Sequence, residues 1–157
     1  RDRGLEVILE PGRVIAGNAG VLVTEALFVK PAPQRNFLMV DAGMNDLMRP
    51  ALYQAHHDIL PVRERGADDE KVRYDIVGPI CESTDKFAAE RDMPRIEGGD
   101  RLAVMSAGAY GAVLSSQYNA RPLVPEVLVD GDRYAVIRRR PDFDEMIALE
   151  NMPDWLN

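Results

Sequence analysis

Strand-like runs follow one another along this chain too closely for helices to lie between them. The apolar or alternating stretches "LEVIL" (5–9), "NFLMVDAG" (36–43), "DILPVRER" (58–65), "KVRYDIVGPI" (71–80) and "RLAVMSAGAYG" (101–111) are separated by short polar turns. A parallel βαβ crossover takes a dozen or more residues, so a doubly wound sheet is excluded. The expected class is mainly β: a Greek-key barrel or sandwich with short helices in its connections. "PEVLVDGDRYAVIRRR" (125–140) carries the strongest local signal, two strands meeting at Asp130-Gly131 as a tight hairpin.

Other segments are shorter in reach. Residues 14–30, "VIAGNAGVLVTEALFVK", fit neither a helical nor an alternating period, and their β-branched and glycine content predicts one long bent strand with a bulge. In "NDLMRPALYQ" (45–54), Asn45 or Asp46 can cap a short helix that Pro50 confines to its first turn. "DILPVRER" and "KVRYDIVGPI" read as a strand pair around the polar turn Gly66–Glu70, with Val72, Tyr74, Ile76 and Gly78 on one face. "PDFDEMIALE" (141–150), with acids in its first turn, reads as a terminal helix.

With 157 residues, 46% of them hydrophobic and 29% charged, the chain has enough material for one cored domain. Its formal charge of -7 argues against nucleic acid or an anionic membrane as partner, since both call for a basic surface. No apolar run approaches the roughly 20 residues of a membrane span. A single cysteine rules out an internal disulfide, and with adjacent His56 and His57 it makes no zinc site of recognisable spacing. The absence of a secretory signal fits a cytoplasmic protein. The chain begins without Met and enters directly into "LEVIL", as a fragment of a longer protein would.

Five places set polar groups beside glycine or proline. "EPGR" (10–13) offers a carboxylate, a glycine whose N–H can approach a phosphate, and a guanidinium; alternatively it is a turn with a surface ion pair. Arg49 and Tyr53, four apart, can converge from one helix face on a carboxylate, or can be a solvated Arg beside a half-buried Tyr. Cys81-Glu82 can be a small buried hydrophobe with an exposed neighbour, or a proton donor, since an adjacent acid raises a thiol pKa. The small residues of "SAGAYGA" (106–112) can aim Tyr110 at a ligand or merely pack a barrel strand. "SSQYNARP" (115–122) can line a cleft or be a solvated loop.

Taken in order, "EPGR", "VDAGMNDLMRPALY", "VGPICES", "SAGAYG" and "SSQYNARP" resemble the C-terminal part of the diaminopimelate decarboxylases, fold-type III enzymes dependent on pyridoxal phosphate. The resemblance runs from Glu10 to Pro122. Related ornithine-type decarboxylases place an aspartate a few residues beyond the cysteine, where this chain has Glu82 at once and Asp85 later. The resemblance implies a β-barrel of the alanine racemase C-terminal type over 14–157. It also implies that residues 1–13 are the last strand and loop of a (β/α)₈ barrel otherwise absent here. In the family that barrel holds the cofactor on a lysine, and Lys30, Lys71 and Lys86 sit in no such motif. A homodimer with sites at its interface is implied, the cysteine segment reaching into the partner's site.

The resemblance assigns roles as well. Glu10 would pair with the cofactor's pyridine nitrogen, and Pro11, Gly12, Arg13 and Tyr110 would surround the cofactor, with Arg13 and Tyr110 also meeting substrate. Arg49 and Tyr53 would hold the distal carboxylate of meso-diaminopimelate, Glu82 its distal ammonium, and Cys81 would reprotonate the α-carbon to give L-lysine. No metal is implied, and the fragment alone is expected to be inactive. The alternatives are a decarboxylase of ornithine, arginine or carboxynorspermidine type, and a non-catalytic oligomerisation or regulatory β-domain.

Overall fold

A ten-residue strand, β1 (Leu22–Pro31), joins two half-sheets into one. The computed structural model describes residues 4–66 and 68–156. Residues 22–25 of β1 pair with β6 (Arg101–Val104), and residues 26–31 pair with β2 (Asn36–Val40), both antiparallel. Leu27 lies between the paired residues Ala26 and Phe28 as the extra residue of a bulge, which lets the strand bend from one half to the other. Beyond β2 lie β4 (Lys71–Val77), parallel to it, and β5 (Lys86–Pro94), antiparallel to β4; beyond β6 lies β3 (Ile59–Pro61). The order β3-β6-β1-β2-β4-β5 forms a nearly closed, barrel-like sheet, as the strand spacing predicts.

The core fills the inside of this curve: Ala26, Leu38, Val40, Leu47, Ile59, Tyr74, Ile76, Phe87, Met93, Ile96, Leu102 and Val104. Tyr74 is buried because its hydroxyl accepts the Ile96 N–H at 3.0 Å. Asp75 is fully buried on the opposite face of β4, satisfied by Arg35 at 2.9 Å, Lys86 at 3.4 Å and the Glu90 N–H at 2.9 Å. β7 (Glu126–Asp130) and β8 (Arg133–Arg138) form a separate hairpin. Gly131, at φ +62, takes the first turn position that a side chain disfavours. Helix α3 (Phe143–Ile147) carries a full capping box between Asp142 and Glu145.

Several local expectations are corrected. Residues 14–30 are not one strand: helix α1 (Arg13–Ala16) and a 3-10 turn (Gly17–Ala19) precede β1. β3 and β4 share the sheet without being neighbours, because β3 pairs with β6 while β4 finds β2 and β5. Helix α2 (Arg49–Tyr53) has no side-chain cap, since Asp46 turns back to accept the Gly43 N–H at 2.8 Å. β5, which alternates only weakly, escaped the sequence reading. Leu5–Leu9, expected to belong to a barrel whose other strands are not in this chain, is exposed and pairs with no strand among the described residues, which leaves that expectation as it stands. The hairpin also presents apolar side chains to solvent, with Leu128, Val129, Tyr134 and Ile137 each more than half exposed.

Candidate active site

Helix α2 exists because Pro50 sits in its opening turn, where no N–H is needed, and because Gln54 turns into the left-handed region at φ 52 to end it. That single turn puts Arg49 and Tyr53 on one side. The guanidinium carbon of Arg49 lies 5.9 Å from the Tyr53 ring centre and 5.7 Å from that of Tyr110. The cation is therefore walled by two phenols that remain largely exposed. Its Nε is buried and has no hydrogen-bond partner among the described residues.

Tyr110 is aimed by a strained backbone. It stands at φ 57, and a non-glycine residue there costs about 1–3 kcal/mol, so neighbouring structure must enforce it. The enforcement is close backbone packing on both sides. A Cβ at Gly111 would lie 2.3 Å from the Ala107 carbonyl, and one at Gly108 would lie 2.1 Å from that of Ala16. The Ala107 and Gly108 N–H groups donate to Gly20 and Gly17 at 2.8 and 3.0 Å, and the Ser106 hydroxyl to Asn18 at 2.8 Å. The segment that continues from Glu10, Pro11, Gly12 and Arg13 is thus locked onto the loop that carries Tyr110. Those four residues are themselves exposed, with Arg13 opening α1.

Cys81 and Glu82 project from a loop folded around Asp85. The Asp85 carboxylate, 4% exposed, accepts the Ile80 N–H at 2.6 Å and the Met44 N–H at 2.7 Å. Burial raises its carboxyl above the usual range, against the lowering effect of those N–H groups and of Arg121. Asp46, also buried, is raised by the same cause against Gly43, Arg121, Arg140 and Asn45. Cys81 and Glu82 lie outside, exposed. Glu82 receives the Thr84 hydroxyl at 2.9 Å on one oxygen and the Tyr118 hydroxyl at 3.0 Å on the other. The hydrogen bond to Glu82, its charge and that of nearby Cys81 push the Tyr118 phenol up.

Two clusters result: Arg49, Tyr53 and Tyr110 with the N-terminal segment behind them, and Cys81 with Glu82. Among the described residues no hydrogen bond or ring contact joins them directly. Residues 41–47 connect them, through Met44 to Asp85, through Asn45 to Ser116 at 2.9 Å, and through Asp41 to Arg121 at 2.6 Å. A guanidinium between phenols suits a carboxylate, and an exposed carboxylate held by hydroxyls suits an ammonium. Among the described residues no group of three or more His, Cys, Asp or Glu could hold a metal, and no helix is long and apolar enough to cross a membrane. Of the two roles open to "SSQYNARP", the cleft-lining one gains support, since its Tyr118 meets Glu82 and its Arg121 meets Asp41 and Asp46. Thr84 and Asp85 likewise gained their partners only in three dimensions.

Residues 13–108 match the family described as pyridoxal-dependent decarboxylase, C-terminal sheet domain. The chain is 51% identical over 152 residues to the diaminopimelate decarboxylase of Vibrio cholerae, covering 97% of this chain and 36% of that protein. The crystal structure of diaminopimelate decarboxylase from M. jannaschii in co-complex with L-lysine superposes with a TM-score of 0.88 at 38% identity, over 94% of this chain and 33% of that one. The Helicobacter pylori diaminopimelate decarboxylase complexed with L-lysine gives 0.82 at 41% identity, over 90% of this chain and 34% of that one. The chain spans about a third of the length of the curated relatives it matches.

Proposed function

The chain belongs to the pyridoxal-dependent decarboxylases, and from that premise we propose that it is the C-terminal domain of a diaminopimelate decarboxylase. The whole protein converts meso-2,6-diaminopimelate to L-lysine and carbon dioxide, as a cytoplasmic homodimer whose sites lie at the interface. The similarity of 49–51% to named diaminopimelate decarboxylases supports the activity. In this reading residues 14–157 are the β-barrel domain, and residues 1–13 end a cofactor-binding barrel. The part of that division on Arg1–Arg3 lies outside the described residues.

One observation carries the substrate assignment. Two acids follow Cys81 at distances where relatives read the far end of the substrate. Asp85 is buried on two N–H groups and has no free face, whereas Glu82 is exposed beside the thiol. The reader is therefore Glu82, which takes the distal ammonium, while Arg49 and Tyr53 take the distal carboxylate. A substrate without that carboxylate leaves Arg49 between its two rings without an anion, which disfavours simple diamine precursors.

The residues here fit pyridoxal phosphate. Gly12 has nothing within 4 Å of where a Cβ would stand, so the backbone is open to a phosphate, with Arg13 next to it and the exposed Tyr110 on the loop packed behind. Glu10 supplies an exposed carboxylate for the ring nitrogen. When bound, the cofactor supplies a sink for the electrons released as carbon dioxide leaves. Its lysine lies outside these residues: Lys86 is engaged by buried Asp75, and Lys30 and Lys71 stand at strand ends away from the site loops. Cys81, exposed beside Glu82, delivers the proton that completes the product.

The test is a release assay on the full-length protein with pyridoxal phosphate, offering meso-diaminopimelate, L-ornithine and L-arginine in parallel. Lysine and carbon dioxide from diaminopimelate alone are expected. Preferred turnover of ornithine or arginine overturns the substrate, and no turnover of any leaves a non-catalytic β-domain.

A further inference from the structure

Tyr118 stands in a turn where the backbone is under strain on its far side. The next two residues, Asn119 and Ala120, are both in the left-handed region, at φ 57 and φ 53. Such conformations in non-glycine residues persist only where the surroundings over-determine them. Here both ends of the loop are stapled to the segment that leads into α2: the Ser116 N–H donates to Asn45 at 2.9 Å, and the Arg121 guanidinium to Asp41 at 2.6 Å. The strained turn thus points its tyrosine from the same base that carries Arg49. The tyrosine hydroxyl donates to one oxygen of Glu82, while Thr84 donates to the other.

We infer that Tyr118, with Thr84, is a positioning residue for substrate selection, fixing the Glu82 carboxylate so that its remaining lone pairs face a substrate ammonium. The inference rests on the reading of Glu82 given above and names what makes that reading selective. A carboxylate offers about four acceptor positions. Two hydroxyl donors, one to each oxygen, fix its plane and leave two positions for an ammonium, and among the described residues no cation pairs with it. Unclamped, an exposed Glu on a loop keeps several rotamers, and ordering it becomes part of the cost of binding. Hydroxyls are suited to this task because they orient the acid without neutralising it, as an Arg or Lys partner would.

The test uses the full-length enzyme loaded with pyridoxal phosphate, in the variants Tyr118→Phe and Glu82→Gln and in their combination. Tyr118→Phe removes one oxygen and keeps the ring, so folding and cofactor absorbance stay as in the wild type. The expected result is a KM for meso-diaminopimelate raised about tenfold in Tyr118→Phe with kcat within about twofold. Glu82→Gln raises KM further, and adding Tyr118→Phe to it costs nothing more, since the clamp then has no charged acid to hold. A merely structural tyrosine would lower kcat and multiply with Glu82→Gln. A wild-type KM in Tyr118→Phe beside an impaired Glu82→Gln overturns the clamp and leaves the role of Glu82 standing. Wild-type KM in Glu82→Gln removes that role, and the clamp with it.

Discussion

Met44 donates its backbone N–H to the buried carboxylate of Asp85 at 2.7 Å, across 41 residues of sequence. The same carboxylate takes the Ile80 N–H, so one side chain sets the distance between the loop leading to Arg49 and the loop bearing Cys81 and Glu82. The fit is tight: a Cβ on Gly78 would lie 2.4 Å from an Asp85 oxygen. Asp85→Ala leaves two N–H groups unpaired, one of them fully buried, and is expected to cost roughly 2–4 kcal/mol of stability. Asp85→Asn keeps one acceptor and should lose about half of that. Urea titrations of the three proteins followed by circular dichroism give the comparison; equal midpoints would show that the strut contributes nothing.

Arg49 has a partly buried fork, an Nε unpaired among the described residues and a ring on either side. Lysine in its place keeps the charge but loses the planar face that both rings meet and the bidentate grip on a carboxylate. Arg49→Lys in the full-length enzyme is therefore expected to lower kcat/KM for diaminopimelate roughly 100-fold, chiefly through KM, as the loss of a paired charged contact. Steady-state kinetics decide it, and a lysine variant with wild-type KM would remove Arg49 from the substrate.

Local signals in the sequence were read correctly where a short-range cause acts alone. The β7–β8 hairpin follows from Asp130-Gly131 and α3 from the acids of its first turn, whereas Pro50 opens α2 and Gln54 ends it. Pairing partners were less legible. β3 and β4 are close in sequence, but β4 is buried through Tyr74, Asp75 and Ile76 together and needs a neighbour on each edge, which β2 and β5 supply. The start of β1 misled because Gly20 is there for close approach to Gly108 rather than for strand bending. In the candidate site, Arg49, Tyr53 and Tyr110 were singled out and the structure gathers them. Tyr118 was legible only as part of a polar loop and Asp85 only as a second acid behind Cys81, since their contacts span 36 and 41 positions.

Acid should act on this domain in two opposed ways. Burial pushes Asp75 upward, but the Glu90 N–H, Arg35 and Lys86 together outweigh it and leave its carboxyl below the usual 3.8. Its contribution to stability is thus complete above about pH 4 and is lost as pH falls through the lowered folded value. Asp46 and Asp85, both raised by burial, act conversely: the proton-linked part of their contribution is present below 3.8 and fades as pH rises through their folded values, while the N–H bonds to Asp85 persist. Asp75→Asn is expected to lose about 1–3 kcal/mol at pH 7, with the deficit narrowing below pH 3.8. Chemical denaturation at pH 7, 5 and 3 reads the difference directly. A deficit that stays constant across this range would mean that the charge of Asp75 plays no part.

Gly108 is the point where the segment from Glu10 meets the loop of Tyr110. A Cβ there would lie 2.1 Å from the Ala16 carbonyl and 2.7 Å from the Gly20 nitrogen, and both are backbone atoms that no rotamer change can move. Gly108→Ala must therefore drive the two segments apart, breaking the Gly108 and Ala107 hydrogen bonds to Gly17 and Gly20. Overpacking of this kind costs about 1–3 kcal/mol. It should also release Tyr110 from its left-handed backbone and turn its ring away from Arg49, so activity in the full-length enzyme falls further than stability alone explains. Gly12→Ala is the matched comparison: its Cβ meets nothing within 4 Å, and stability should stay within about 0.5 kcal/mol. Melting curves of both variants test the contact. If Gly108→Ala melts with Gly12→Ala, the two segments are not held together by backbone packing, and the aim of Tyr110 must come from elsewhere.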